Sequence, residues 1–296
     1  MEYLAKDKNF LAVDEEYSSY DNSEIVIVQA PLEETVSYGG GTAKGPAAIL
    51  DASHYVEFYD EEMDGEVIFK HGICSLPALD FDGLEIKESI DKIYRAVKEQ
   101  VNNGKFVVTL GGEHSLSSAP FRAHFEKYEN LSVLQIDAHS DFRDEYEGSK
   151  YSHASVMARV AESTKAITQV GIRAQCLEES LFIKENKINA FYARDIRRGK
   201  FGQKFYEKVA ETLSENVYLT FDVDGLDPSV ISATGTPEPG GLLWDETLDM
   251  MRYIAERKNI VGFDVVELAP VESNTISDFN TAKLIYKMLN YIFNKR

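Results

Sequence analysis

Cysteine is nearly absent from this chain. Cys74 and Cys176 are the only two in 296 residues, far apart and without paired spacing. Such usage excludes a disulfide framework and a thiolate zinc cage, and it suits a reducing compartment. Basic charge is scarce as well: 31 Lys and Arg stand against 50 Asp and Glu, a net charge of −19. Nucleic-acid binding requires basic patches that neutralise phosphates, so that class of function is excluded. The acidity suits a small cationic substrate, because an acidic rim concentrates cations, although solubility alone accounts for most of it. No apolar run reaches the ~20 residues that span a bilayer. Residues 1–24 hold neither a signal-peptide core nor a small-residue cleavage pattern. A cytoplasmic protein with no membrane contact is therefore expected. Linkers, composition breaks and internal repeats are lacking too, which leaves one domain over 1–296 with 1–24 as an acidic N-terminal extension.

What the chain does contain is a repeated alternation of short apolar runs with amphipathic stretches. Strands are expected at 25–29, 106–110, 131–136, 166–171, 190–193, 217–221 and 260–266. Helices are expected at 86–101, 116–128, 154–161, 203–213, 246–256 and 281–293. The first of these carries Ile90, Ile93, Val97 and Val101 at helical spacing. Strand–helix alternation of this kind predicts an α/β fold with a mainly parallel sheet covered on both faces.

Chemistry gathers at the ends of the apolar runs. LQIDAHSDF carries Asp137, His139 and Asp141 at i, i+2 and i+4, which in extended backbone point to one side. Asp222 and Asp224 in YLTFDVDGLDPS repeat the arrangement, His114 follows a third run in VVTLGGEHS, and Glu267 ends VGFDVVE. Ligands of open α/β sheets bind beyond the carboxyl ends of the strands, where all of these residues fall. Taken singly, a D-x-D is a turn or a helix cap and His114 is a core histidine. Together, two imidazoles and four carboxylates are too many for one small divalent ion and suit two. Lacking thiolates, the set favours Mn²⁺ or another first-row metal over structural zinc. Such a pair lowers the pKa of water from ~15.7 towards ~7.

At these residues the sequence resembles the ureohydrolases, the arginase/agmatinase family. The matching motifs are GGEHS (111–115), DAHSD (137–141), the histidine of YSHAS (151–155), FDVDGLDPS (221–229), ATGTPEPGGL (233–242) and DVVELAP (264–270). They stand in family order. The resemblance implies an arginase-like three-layer α/β/α sandwich, two Mn²⁺ per subunit, and a homotrimer or homohexamer. It implies that His114, Asp137, Asp141 and Asp222 bind one ion, and His139, Asp137, Asp222 and Asp224 the other, with Asp137 and Asp222 bridging. Asp141 would also orient the hydroxide nucleophile, Glu267 would hold a guanidinium, and His153 would shuttle a proton to the leaving amine. As an alternative, His153 is simply a helix N-terminal residue ahead of 154–161. The implied reaction is hydrolysis of a guanidinium to urea and an amine. A non-catalytic metal-binding regulatory relative is the alternative of a different class.

The substrate is to be read from the loop after the metal motif. Arginases carry Asn and Ser there; this loop reads DFRDEYEGSKYSHAS, with acids at Asp144, Glu145 and Glu147. An acidic loop favours an amine-tailed guanidine, agmatine, cleaved to putrescine and urea, and SYGGGTAKGPAAIL (37–50) also resembles the agmatinase branch. Arg143 argues for a carboxylate-bearing substrate such as guanidinobutyrate, unless it pairs with its acidic neighbours on the surface, which is the favoured reading. Guanidinobutyrase and arginase are thus the alternatives. Thr236 or Thr234 is available to donate a hydrogen bond at the site wall. Glu113 stands where many family members have aspartate, with an indirect effect expected at most. GGGTAKGP lacks the lysine of a phosphate loop, and Gly45–Pro46 more simply starts a helix. His54, His71 and His124 have no ligand-spaced partners.

Overall fold

The computed structural model describes residues 2–294. Met1, Lys295 and Arg296, the outermost ends of the expected 1–296 domain, lie outside the described residues. Apolar runs rich in Val and Ile form eight strands: β1 Ile25–Ala30, β2 Ile73–Ser75, β3 Phe106–Gly111, β4 Leu131–Ile136, β5 Ile167–Val170, β6 Asn189–Phe191, β7 Asn216–Asp222 and β8 Asn259–Val266. All pair in parallel in the order β2-β1-β3-β8-β7-β4-β5-β6. Parallel strands bury both faces, and side chains alternate between them. Thus Ile25 and Ile27 enter one core while Val26 and Val28 enter another.

Helices Gly45–Ser53, Phe205–Glu211, Trp244–Arg257 and Ile276–Phe293 cover the first face. Ile86–Asn102, Ser118–Phe125, Val156–Ala161 and Leu177–Glu185 cover the second. The result is the expected three-layer α/β/α sandwich. Ile86–Asn102 buries its Ile90, Ile93, Val97 and Val101 stripe, and Glu88 accepts the Glu85 N–H that opens it. Pro46 stands in the first turn of Gly45–Ser53, where its missing N–H costs nothing. No helix among the described residues is long and apolar enough to cross a membrane.

Several local expectations change. β2 escapes sequence reading because three residues are too few to show a period. Helix Leu177–Glu185 escapes because Leu177 and Leu181 face outward while Ile183 is buried, leaving no clean stripe. The helices expected at 116–128 and 154–161 begin with 3-10 turns, His114–Ser117 and His153–Ser155. His54, His71 and His124 bond the Asn9 carbonyl, Glu24 and the Pro120 carbonyl, respectively.

The described part of the 1–24 segment, residues 2–24, does more than extend the chain. Leu4 N–H donates to the Ser75 carbonyl, and Asn9 bonds both Ile73 and Ser75, so the segment runs along edge strand β2 and covers it. Phe10, Leu11 and Val13 are buried in the core. Charged flanking residues hid this apolar group in the sequence. Phe10→Ala is expected to lower unfolding free energy by about 3–5 kcal/mol, measured by urea denaturation. A loss below about 1 kcal/mol would return the segment to the surface.

Candidate metal centre

Sheet order decides which strand ends meet. β3, β8, β7 and β4 are consecutive neighbours although they come from distant parts of the chain. The register pairs Ile136 with Phe221 and Asp222 with Val266, so Asp137, Asp222 and Glu267 emerge along one carboxyl edge. His114 joins them from the 3-10 turn that follows β3.

The local geometry differs from an extended i, i+2, i+4 triplet. β4 stops at Ile136, His139 makes an isolated parallel bridge to Ala174, and Asp141 adopts φ +54°. Asp222 and Asp224 do not repeat that arrangement. Asp224 sits in the turn Val223–Gly225 and donates its N–H to Asp222 Oδ1 at 2.8 Å. Turn geometry, more than strand alternation, aims these carboxylates.

Asp137, Asp141, Asp222, Asp224 and His114 are buried, and His139 is partly exposed. His114 Nδ1 has no hydrogen-bond partner in good geometry, yet it lies 3.0 Å from Asp137 Oδ2, 3.1 Å from Asp141 Oδ2 and 3.3 Å from Asp222 Oδ2. His139 Nδ1 lies 3.0 Å from Asp224 Oδ2 and 3.7 Å from Asp137 Oδ1. Ligand atoms of His114, Asp137 and Asp141 fall within 4.8 Å of one another, as do those of Asp137, His139 and Asp224. Asp137 is common to both sets. Asp222 belongs to neither set by that measure, although its Oδ2 lies 3.3 Å from His114 Nδ1 and its Oδ1 accepts the Asp224 N–H.

An imidazole nitrogen with no bonding partner, facing converging carboxylates, fits a metal cation. Buried carboxylates demand a compensating charge. Burial opposes protonation of His114, but Asp137, Asp141 and Asp222 outweigh it and raise its pKa well above the usual value. Burial, then the charge of Asp137, pushes Asp141 up to about 7. Burial pushes Glu267 up to about 8. Oxygen donors with two imidazoles suit Mn²⁺ and related first-row ions.

Supporting groups, unremarked in the sequence, hold these side chains. Thr220 Oγ1 donates to Asp264 Oδ1 at 2.7 Å, so it accepts from His114 Nε2 at 2.9 Å, and this leaves the Nδ1 lone pair for the site. Buried Asp264 also receives the hydroxyls of Ser117 and Tyr218. Gln169 donates to Gln135, which donates to Asp137 Oδ2. Arg173 donates to the carbonyls of Gly171, Asp224, Gly225, Leu226 and Glu238, stapling the Asp224 turn to its surroundings. A signal was present for Asp264: an acid inside an otherwise apolar strand. Nothing local marked Arg173.

Beside the cluster opens a cleft of about 200 Å³ lined by Tyr38, Arg143, Tyr146, His153, Thr236 and Glu267, among others. Glu267 has φ +66°, a left-handed conformation costly for a side-chain-bearing residue, and its Oε1 accepts the His114 N–H at 2.6 Å. His153 is half-exposed at the cleft wall, and its ring meets Tyr146 edge-on at 5.7 Å. Burial, the largest influence, lowers its pKa. Arg143 lies on the cleft with its guanidinium 5.1 Å from the Tyr146 ring centre. Its neighbour Asp144 pairs instead with Lys150 and Arg159. Thr234 Oγ1 is buried with no hydrogen-bond partner among the described residues, while Thr236 lines the cleft.

A parallel α/β/α sandwich whose central strand ends gather imidazoles and carboxylates beside a cleft has the architecture of a metal-dependent hydrolase. The sequence model of the Arginase family matches residues 23–290, and the chain belongs to that family, whose enzymes are metal-dependent hydrolases of guanidino groups. It is 39% identical over 294 residues to an N(1)-aminopropylagmatine ureohydrolase from Synechocystis sp., covering 96% of this chain and 94% of the relative. It is 35% identical over 262 residues to an agmatinase from Bacillus anthracis, covering 86% and 87%. The crystal structure of agmatine ureohydrolase of Thermoplasma volcanium superposes with a TM-score of 0.86 at 28% identity, covering 97% and 94%.

Asp137→Ala is expected to lower bound metal to one ion or fewer per chain by elemental analysis; two ions retained would remove its shared role. Gly112, two residues before His114, offers an independent check on the scaffold. A Cβ there would lie 2.1 Å from the Leu32 carbonyl oxygen. Gly112→Ala should therefore displace the turn and reduce metal content, and unchanged content and melting temperature would contradict this.

Proposed function

We propose that the protein hydrolyses agmatine to urea and putrescine at this centre. The observation that carries the reading is Glu267, a carboxylate on the wall of the cleft that also borders the His/Asp cluster. One oxygen of Glu267 is engaged by the His114 N–H, which leaves the other for a guanidinium N–H. His114, Asp137, Asp141 and Asp222 would hold one divalent ion, and His139, Asp137, Asp222 and Asp224 the second. When bound, such ions supply an activated water and offset negative charge.

Asp141 accepts a hydrogen bond from the nucleophilic water and so aims it at the guanidinium carbon. Glu267 fixes that carbon by binding the guanidinium nitrogens. The water oxygen bonds to carbon, and the carbon–nitrogen bond to the alkyl amine breaks. The two protons lost by that water pass to the departing nitrogen, one by way of Asp141 and one by way of His153, so urea and a protonated amine leave. A lowered His153 pKa favours the form that can take up a proton again after each turnover.

A second reading, N1-aminopropylagmatine as substrate, is supported by the relative at 39% identity. The two compounds share the guanidinium head and differ in the tail, so the choice between them belongs to the outer cleft, where Tyr38 is 86% exposed. Resemblance to the family also leads us to propose Mn²⁺ as the metal and a homotrimer or homohexamer as the assembly.

Urea release from agmatine, N1-aminopropylagmatine, arginine and guanidinobutyrate in the presence of Mn²⁺ tests the reading. An amine-tailed compound is expected to lead. Preference for guanidinobutyrate would overturn it and point to Arg143, while no urea from any compound would favour a non-catalytic relative. Glu267→Gln should keep its metal and lose about 10- to 100-fold in kcat/KM, the cost of one charged hydrogen bond; loss of metal instead would contradict a guanidinium role.

A further inference from the structure

Glu113 adjoins His114 in sequence, but its carboxylate serves a different segment. It is fully buried. Oε2 accepts the backbone N–H groups of Glu34 and Thr35 at 2.7 and 2.6 Å. Oε1 accepts the hydroxyls of Thr35, at 2.8 Å, and of Ser115. Four donors converge on its two oxygens, so the carboxylate acts as the acceptor that organises the loop at 34–35.

The Thr35 hydroxyl proton is thereby committed to Glu113. Its oxygen can then only accept, and it faces His153 twice: the backbone N–H at 3.0 Å and ring Nδ1 at 3.3 Å. With no proton left to offer Nδ1, Thr35 requires Nδ1 to be the donor. That leaves Nε2 as the exchanging nitrogen, on the side of Ser37, whose Oγ lies 3.5 Å away and which also lines the cleft.

We infer that Glu113, acting through Thr35, is a positioning residue that holds the His153 ring in the Nδ1–H tautomer with Nε2 free to carry the proton. This rests on the proposed proton transfer by His153. Orientation by a buried carboxylate through a hydroxyl governs how the ring is presented and leaves substrate binding alone. The loop after β1 is thereby tied to the reaction through Glu113 and Thr35, side chains set behind the lining of the cleft.

The test compares metal-loaded Glu113→Gln, Thr35→Val, Thr35→Ser and His153→Ala proteins by metal content, kcat and KM, using whichever guanidine releases urea fastest. Glu113→Gln keeps the shape but can donate to Thr35, reversing the bond direction. Both it and Thr35→Val are expected to lose about tenfold or more in kcat while KM and metal content hold, and Thr35→Ser should recover most of the loss. Adding Thr35→Val to His153→Ala should cost little more, because both act through one group. A full additional loss there overturns the inference, as does unchanged kcat in Thr35→Val. If Glu113→Gln sheds metal because it adjoins His114, Thr35→Val decides the matter. Unchanged kcat in His153→Ala removes the proton-transfer reading itself, and the inference with it.

Discussion

Four aspartates, none more than 6% exposed as residues, gather around two imidazoles. Unneutralised, that much buried negative charge opposes folding, and Asp141, pushed up to about 7, registers the strain. Much of the surrounding architecture answers this constraint. Backbone N–H groups pin one oxygen of Asp137, Asp222 and Asp224, from His139, Asp224 and Ala138 respectively. Asp141 and Glu267 both occupy the left-handed region, at about 1–2 kcal/mol each. Such conformations persist where the surroundings over-determine them, and here they aim two carboxylates into the cleft.

Beneath the ligands lies a buried polar layer that a typical apolar sheet core would lack. Asp264, Thr220, Tyr218 and Ser117 form one network under His114, and Gln135 and Gln169 form another under Asp137. A buried polar network is tolerable when its members are bonded, and in return it specifies one orientation. The cleft wall has a different origin. Loops after three strands supply Tyr38, His153 and Thr236, whereas the His/Asp cluster rests on strand ends and the turns that follow them.

Much of this was legible in the chain. Seven strand-like runs predicted seven of the eight strands, because a parallel sheet buries both faces and leaves near-continuous apolar stretches. All six metal-competent residues were visible because polar chemistry abruptly follows those stretches. β2, helix Leu177–Glu185 and the packing of Phe10 were not, since each depends on a neighbour instead of a period. The expected extended triplet also failed locally: positive φ at Asp141 is a response to the loop around it and has no sequence signature comparable to glycine.

Sequence alone determined the α/β class, the donor chemistry of the centre and the family, because apolar periodicity and residue type act over a few positions. Tertiary structure decided that β8 and β7 insert between β3 and β4, and so which strand ends share a site. It decided that Asp137 is common to two ligand sets, that Arg143 faces the cleft, and that Glu113 reaches His153 through Thr35. These are contacts between residues dozens to more than a hundred positions apart. Only the folded register brings such groups within hydrogen-bond distance, where bond direction and charge take effect.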